Sequence, residues 1–568
     1  MPLIVVLDHP VRPGVVVLQD ATDDGVPLAR RDVPVDELPA TVAVREAEHP
    51  RWVWDDTARW YPVLLAAGVR VERCHDLRLC HTILRRSVLT QGSELAQAAP
   101  GRWDEPAPGE PQAVEVSLFD DPRLAAEPIA ADPDVDADAD APDDADPLTE
   151  LQRQLAAVAG SADPGRLRLL LAAESTGALI AAEMHHDGMP WVAEVHHELL
   201  TRELGTRPAG GGRPSRLEVL AAEVRAALSQ PALNIDSQQD LLRGMRAAGL
   251  DVTSTRKWDI RGIDHPVVEP LLAYKKLARL LSANGWAWME QWVHDGRFRP
   301  DYVPGGVVTG RWASSGGGAL QLPASIRGAV RADPGWRLVV ADAAQLEPRV
   351  LAAMSGDDAM AAAGRQADLY QGVVDAGIVE TRQEAKYAML GAIYGATTGA
   401  SAMLMPRLTR AYPRAVGLVE AAARAGERGD PVSTWLGRTS PVPDATRMAE
   451  LHAASSEGAE PDDVRAARQR ARNWGRFTRN FVVQGTAAEW ALCWMAALRR
   501  RLRAIEGRPH LVFFLHDEVM VHSPEAVADE VAAAVRDAAV EAGRLLFGDS
   551  PVDFALQVAV VDSYDQAK

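Results

Sequence analysis

One segment of this 568-residue chain cannot join a hydrophobic core. From residue 101 to 148 the sequence is rich in Pro, Ala and Asp and loses periodicity. Such a stretch buries too little apolar surface to offset the entropy of ordering it. It reads as a flexible acidic linker between a small N-terminal domain (1–100) and a large C-terminal part. It also accounts for most of the charge. Residues 119–148 hold eleven acids against the single base Arg123, so ten units of the net charge of −19 sit there. Outside it, the Arg-rich runs at 465–479 and 499–503 leave room for a local basic groove facing a polyanion, which the bulk charge alone argues against.

The length implies three or four structural units, and the short apolar runs VVVLQ and YPVLLAAGVRV make the first an α/β domain. The fold class is therefore α/β multidomain. No stretch reaches the roughly 18–20 uninterrupted apolar residues of a membrane span, so no membrane partner is expected. The start, MPLIVVLDHPVRPG, lacks a basic n-region and a small-residue cleavage site and reads as a strand, which points to a cytoplasmic, nucleoid-associated protein. Three cysteines, Cys74, Cys80 and Cys493, form no disulfide framework, and no second ligand pair stands at zinc spacing.

Three motifs carry chemistry. RQEAKYAMLGAIYG sets Arg382, Lys386, Leu390 and Tyr394 at successive i+4 steps, so one helical face is cationic at one end and apolar to aromatic at the other. That face suits a triphosphate and the base above it; taken singly, it is more readily a solvated face over a core stripe. VVADAAQLEPR puts Asp342 at the end of an apolar strand with Glu347 beyond it. LVFFL and VMVHS flank His516, Asp517 and Glu518 as a hairpin. A lone strand-end carboxylate is equally a cap. Together, two carboxylates from separate strands can bridge two Mg²⁺ ions roughly 3.5–4 Å apart, and the cationic helix then neutralises a phosphoryl group in transfer.

The order of these motifs resembles the family A DNA polymerases, in particular the Klenow-type large fragment of bacterial DNA polymerase I, over 148 to the C-terminus. DAAQLEPR is similar to motif A, the Arg382 helix to motif B and LHDEV to motif C. TGRWASS with LQLP resembles the segment whose Arg and Gln touch the primer-template minor groove, here Arg311 and Gln321. RFTRNFVVQGTAAEW resembles the helix with template contacts, here Arg476, Asn480 and Gln484. The resemblance implies a right hand: thumb 149–300, palm 301–356, fingers 357–470, and palm again 471–568. It implies metal ligation by Asp342, Asp517 and the backbone carbonyl of Ala343, with Glu518 as an auxiliary catalytic carboxylate. Arg382, Lys386, Leu390, Arg327 and His516 would face the nucleotide, and Glu347 with Tyr394 would exclude a ribose 2′-OH. Mg²⁺ is the expected cofactor, with Mn²⁺ as a substitute; primer-template DNA and deoxynucleoside triphosphates are the expected partners of a monomer.

The chain departs from the family pattern in places. Asp342-Ala343-Ala344 replaces Asp-Tyr-Ser, and Leu390 stands where the family has an aromatic. The N-terminal 100 residues, too few for a 5′-nuclease domain, resemble part of a degenerate, RNase H-like 3′–5′ exonuclease domain. Its first-strand Asp-x-Glu is missing, Trp60 stands near the second Asp, and Ser175 or Thr176 stands for the third. An inactive domain is expected, the alternative being an altered site built from Asp8, Asp20, Asp55, Asp56 or Asp76. For the whole chain, the expectation is a template-directed DNA polymerase in replication or repair; a nuclease and a silent DNA-binding scaffold are the alternatives.

Overall fold

The computed structural model describes residues 2–105, 146–395, 399–443 and 461–567. Most of the acidic run expected as a linker lies outside them. Its two ends do not behave as linker: Trp103 is buried, and a helix begins at Pro147 with Asp146 as its N-cap. The described residues divide into two compact units. The first joins residues 1–187, 301–316 and 339–560; the second joins 188–300, 317–338 and 561–568.

The first unit opens with strands β1 (Leu3–Asp8), β2 (Val15–Ala21), β3 (Pro27–Pro34), β4 (Arg51–Trp54) and β5 (Cys74–Asp76) in the order β3-β2-β1-β4-β5. The first three are antiparallel; β4 and β5 run parallel to β1 and to each other. β1 reads LIVVLD without alternation because both of its faces are covered. Ile4 and Val6 enter one core with Leu64, Leu65 and Leu179, while Leu3 and Val5 enter the other with Leu77, Trp103 and Leu151. Helices α1 (Leu38–Arg45), α2 (Thr57–Ala66), α3 (Leu77–Arg86), α4 (Pro147–Ala159) and α5 (Pro164–Asp187) supply those covers. α4 and α5 were expected in the thumb. Instead α4 packs on β1 and α3, and α5 on β5 and α2, so the break falls at Gly188 rather than at 149. α5 carries buried residues on nearly every side, Glu174 and Glu183 among them, because it is enclosed by several neighbours.

A second sheet has the order β7-β8-β6-β9, with β6 (Trp336–Ala343), β7 (His510–Leu515), β8 (Glu518–Pro524) and β9 (Leu556–Val561). Around it stand α6 (Leu346–Ser355), α7 (Leu369–Asp375), α8 (Arg382–Tyr394), α9 (Gly399–Ala411), α10 (Pro413–Glu427), α11 (Pro461–Leu502) and α12 (Ala528–Phe547). α11 has 42 residues, about 63 Å at 1.5 Å per residue. Its portion Val464–Leu502 is long and apolar enough to cross a membrane, but 89% of its most apolar window is buried inside the protein. It runs unbroken through residues 470 and 471, where fingers were expected to give way to palm.

The second unit is mainly helical, with Ala193–Leu204, Ser215–Ala227, Gln238–Ala247 and Val268–Asn284 beside a small three-stranded sheet. Its core includes Trp191, Trp288 and Phe298, whose ring centroids lie 5.1–5.8 Å apart.

Candidate active site

Two strand ends of the first unit define the site. β6 is buried through Leu338–Ala341 and then releases Asp342 to a half-buried position. β7 and β8 pair with Leu515 opposite Glu518, so His516 and Asp517 are the whole loop of a two-residue hairpin. His516 adopts φ 55°, the left-handed region that such tight turns demand. The Ala343 N–H donates to the Asp517 carbonyl at 2.8 Å, tying the hairpin tip to the residue after Asp342. Burial pushes the Asp517 carboxyl up to about 7, and repulsion from Asp342 adds to it. Burial pulls His516 down to about 4, with Arg311 contributing. Glu518, the first residue of β8, is buried, with 1% exposure.

Past Asp342 the chain turns at Gln345, φ 51°, and enters α6. Glu347 lies in its first turn, with Pro348 following where a missing N–H is harmless. The Glu347 carboxylate is gripped from both sides: Tyr394 Oη donates to Oε2 and Arg311 Nη2 to Oε1. Burial and the Glu347 charge raise the Tyr394 phenol far above its ordinary range, and Gln484 also hydrogen-bonds it. Arg311 and Gln484, expected at the DNA, thus join Glu347 and Tyr394, expected together at the sugar, in one connected group.

α8 begins with a capping box, Thr381 and Glu384 each bonding the other's backbone N–H, and ends at Gly395 with φ 68°. Lys386, Leu390 and Tyr394 line a cavity of 490 Å³ together with Glu347, His516 and Asp517. Arg382 does not line it. Its Nε donates to Asp368 at 2.5 Å and its guanidinium lies 5.6 Å from the Tyr370 ring. On α11, Arg476 bonds Asn473 at 2.6 Å and packs beside Gly395, with Asn480 and Gln484 at successive helical steps. Two expected residues belong to the second unit. Arg327 lies 4.5 Å from the Tyr564 ring centroid, and Gln321 ends a short 3₁₀ turn, its side chain being outside the described residues.

A family model for DNA polymerase family A matches residues 215–565. The chain belongs to that family. Among its family A relatives, DNA polymerase I of Chloroflexus aurantiacus is 28% identical over 333 residues, covering 54% of this chain and 33% of the relative. The thermostable DNA polymerase I of Thermus thermophilus is 26% identical over 422 residues, 65% of this chain and 47% of the relative. The chain therefore spans a third to a half of the length of these relatives. A solved structure, the POL domain of Pol1 from M. smegmatis in complex with DNA primer-template and dNTP, shares the fold with a TM-score of 0.63 at 17% identity, covering 100% of this chain and 95% of that one.

Some residues of this family A site carry little signal in the sequence. Tyr370 lines the cavity, its phenol pushed by burial up to about 12. Arg349 is 1% exposed and donates to the carbonyls of Ala344, Gly364, Gln366, Ala367 and Asp553, locking the chain just after Asp342. An arginine inside the apolar run EPRVLAA was the available clue.

The acids of the N-terminal domain are engaged in other work. Arg59 bridges Asp8 at 2.6 Å and Asp55 at 2.9 Å, and Arg45 pairs with Asp20 at 3.0 Å. Asp56 caps α2 and Asp76 caps α3, while Ser175 accepts from the Asp76 N–H at 3.1 Å. Asp55, Asp56 and Asp76 line a second cavity of 830 Å³ with Arg59, Arg78 and Arg102. Among the described residues, no group of three or more His, Cys, Asp and Glu is arranged to hold a metal.

Proposed function

We propose that this chain is a template-directed DNA polymerase that adds deoxynucleotides to a primer 3′-OH and releases pyrophosphate. The observation that carries the reading is the 2.8 Å bond from the Ala343 N–H to the Asp517 carbonyl, which brings two carboxylate-bearing strand ends together beside a cavity lined by Lys386, Leu390 and Tyr394. The donor set suits Mg²⁺, which binds through one or two carboxylates and leaves its other positions to water and substrate phosphates. Asp342, Asp517 and the Ala343 carbonyl would hold it. Burial and then repulsion from Asp342 raise Asp517, and a bound cation would offset both. Bound there, the metal would lower the pKa of the attacking hydroxyl and stabilise the leaving oxygen.

The protein's own residues do the rest. Lys386 offers positive charge to the triphosphate and Leu390 an apolar contact to the nucleotide, without the flat face of an aromatic. Glu347, held by Arg311 and Tyr394, fills the space a ribose 2′-OH would need. Arg476, Asn480 and Gln484 contact the template; for Gln321 and Arg327, roles toward primer-template and nucleotide rest on the resemblance in sequence alone. The protein acts as a cytoplasmic, nucleoid-associated monomer.

The N-terminal domain, on this reading, does not hydrolyse 3′ ends. Its support is that Asp8, Asp55, Asp56 and Asp76 are spent on an arginine bridge and on helix caps. The test is primer extension with all four deoxynucleotides and Mg²⁺, beside a 3′-mismatched primer without nucleotides. Extension that disappears in Asp342→Ala and Asp517→Ala, with primer-template affinity kept, is expected. Near-normal extension by either variant overturns the assignment. Primer shortening would mark a nuclease, and binding without extension a scaffold; shortening that survives Asp342→Ala would restore the exonuclease.

A further inference from the structure

Beneath Arg311 lies a buried ion pair that the proposed function does not use. Glu174 on α5 is 1% exposed and accepts from Arg438 Nη2 at 2.6 Å; Arg438 is 9% exposed. Two charges taken out of water carry a desolvation penalty of several kcal/mol each, so a pair of this kind is weak evidence for stability and its location matters more. It sits under one loop. Residues 303–311 fold back through Gly306 N–H to Val303 O at 3.1 Å, Gly310 N–H to Val307 O at 2.7 Å and Val307 N–H to Arg311 O at 3.1 Å. Gly305 has φ 64° and Gly310 φ 82°, and both stand directly on the pair. A Cβ on Gly305 would come within 2.6 Å of Glu174 Oε1, and one on Gly310 within 2.4 Å of Arg438 Nε. Those two atoms, both buried, have no hydrogen-bond partner among the described residues, because loop backbone is pressed against them.

Arg438 is itself rigidly seated. Its N–H donates to Thr434 Oγ1 at 2.9 Å, and the Thr434 N–H returns a bond to the Arg438 carbonyl at 2.9 Å. The Thr434 hydroxyl and the Leu436 N–H both donate to Glu489 on α11. α11 touches the same loop at Gly485, where a Cβ would meet Thr434 Cγ2 at 2.4 Å and Thr309 O at 3.1 Å.

We propose that Arg438, seated by Glu174, is a positioning residue: its guanidinium fixes the loop backbone at Gly310 so that the next residue, Arg311, is held in register with Glu347. The chain of contact runs from Glu174 to Arg438, Gly310, Arg311 and Glu347. Arg438 touches no substrate in this arrangement. It acts only through Arg311, and this inference rests on the polymerase reading of the site.

The experiment is a double-mutant cycle in the full chain. Arg438→Met, Arg311→Ala and the pair are compared in primer extension with deoxynucleotides and with ribonucleotides, with thermal melting of each. Arg438→Met is expected to lower kcat/KM for deoxynucleotides about tenfold and to narrow the deoxy-over-ribo preference. In the Arg311→Ala background it should change neither quantity by more than about twofold. A structural role alone would lower melting while leaving the sugar preference intact, or would multiply with Arg311→Ala; either result overturns the proposal. If Arg438→Met does not fold, Glu174→Gln, which keeps the shape, takes its place in the cycle with the same criteria. Asp342→Ala runs beside them. Extension surviving there removes the polymerase reading, whereas its loss with independent Arg438 and Arg311 effects removes only this inference.

Discussion

The Nε of Arg382 donates to the Asp368 carboxylate at 2.5 Å, turning the first cation of α8 toward α7 rather than into the cavity. A triphosphate that needs Arg382 must compete with that carboxylate. Asp368 also caps α7 through the N–H groups of Tyr370 and Gln371, a duty that Asn performs as well. The pair is half exposed, and such pairs are worth about 0.2–1 kcal/mol. Asp368→Asn is therefore expected to lower the deoxynucleotide KM by roughly 1.5- to 5-fold at unchanged fold stability. Steady-state kinetics reads it, and an unchanged or raised KM refutes the competition.

The double grip on Glu347 makes a second expectation. Removing the carboxylate in Glu347→Ala opens the space beside the sugar and leaves Arg311 and Tyr394 without their shared acceptor. Ribonucleotide discrimination should fall by about tenfold or more, within the range of a single steric or polar contact. Tyr394→Phe keeps the ring and loses one bond, so its effect should be smaller. Equal discrimination in all three proteins would contradict the gate.

Arg499 offers a test of stability. It is 6% exposed on its side chain and donates to both Glu183 oxygens at 2.7 and 2.8 Å, to the Glu72 carbonyl at 2.7 Å and to the Val71 carbonyl at 2.6 Å. Tyr61 adds a further bond to Glu183 at 2.5 Å. Breaking one partner of a buried pair typically costs about 3–5 kcal/mol, because the other charge stays buried. Arg499→Met should shift the urea midpoint down accordingly, and Arg499→Met with Glu183→Leu should recover part of the loss.

Glu489 sets a pH dependence. Burial pushes its carboxyl up to about 7, against hydrogen bonds from Thr434 and the Leu436 N–H. A raised folded-state value means that the folded protein holds a proton the unfolded chain has released. The stabilisation is full below the ordinary glutamate range and is lost as pH rises to about 7. Relative to Glu489→Gln, the wild type should lose stability steadily over that window and then level off, by a few kcal/mol at roughly 1.4 kcal/mol per unit. Parallel stability curves for the two proteins would refute this.

The parts of the fold written in local pattern were legible in the sequence. The run ending at Asp342 gave β6, LVFFL and VMVHS around His516-Asp517-Glu518 gave the hairpin, whose loop the structure narrows to two residues, and the i+4 series from Arg382 gave α8 with its cavity-lining face. What escaped depends on partners distant in sequence. Arg382 has its side chain taken by Asp368, and Arg438 meets Glu174 across 264 positions; periodicity reports neither. The assignment of α5 to the thumb went astray for a related reason. A helix buried on most sides has no polar face to say what it packs against. Trp103 was hidden by its neighbours, a lone core residue at the edge of a low-complexity run.

α11 carries the proposed template contacts Arg476, Asn480 and Gln484 and, four turns further on, Arg499. At Arg499 the helix is bolted to β5's approach and to α5, through Val71, Glu72 and Glu183. The N-terminal sheet is thus part of the mounting of the helix that would read the template. Removing the N-terminal sheet would take the Val71 and Glu72 carbonyls from Arg499, expose its guanidinium and loosen the far end of a 42-residue rod. A domain can thus matter for the helix it holds, whatever chemistry it carries.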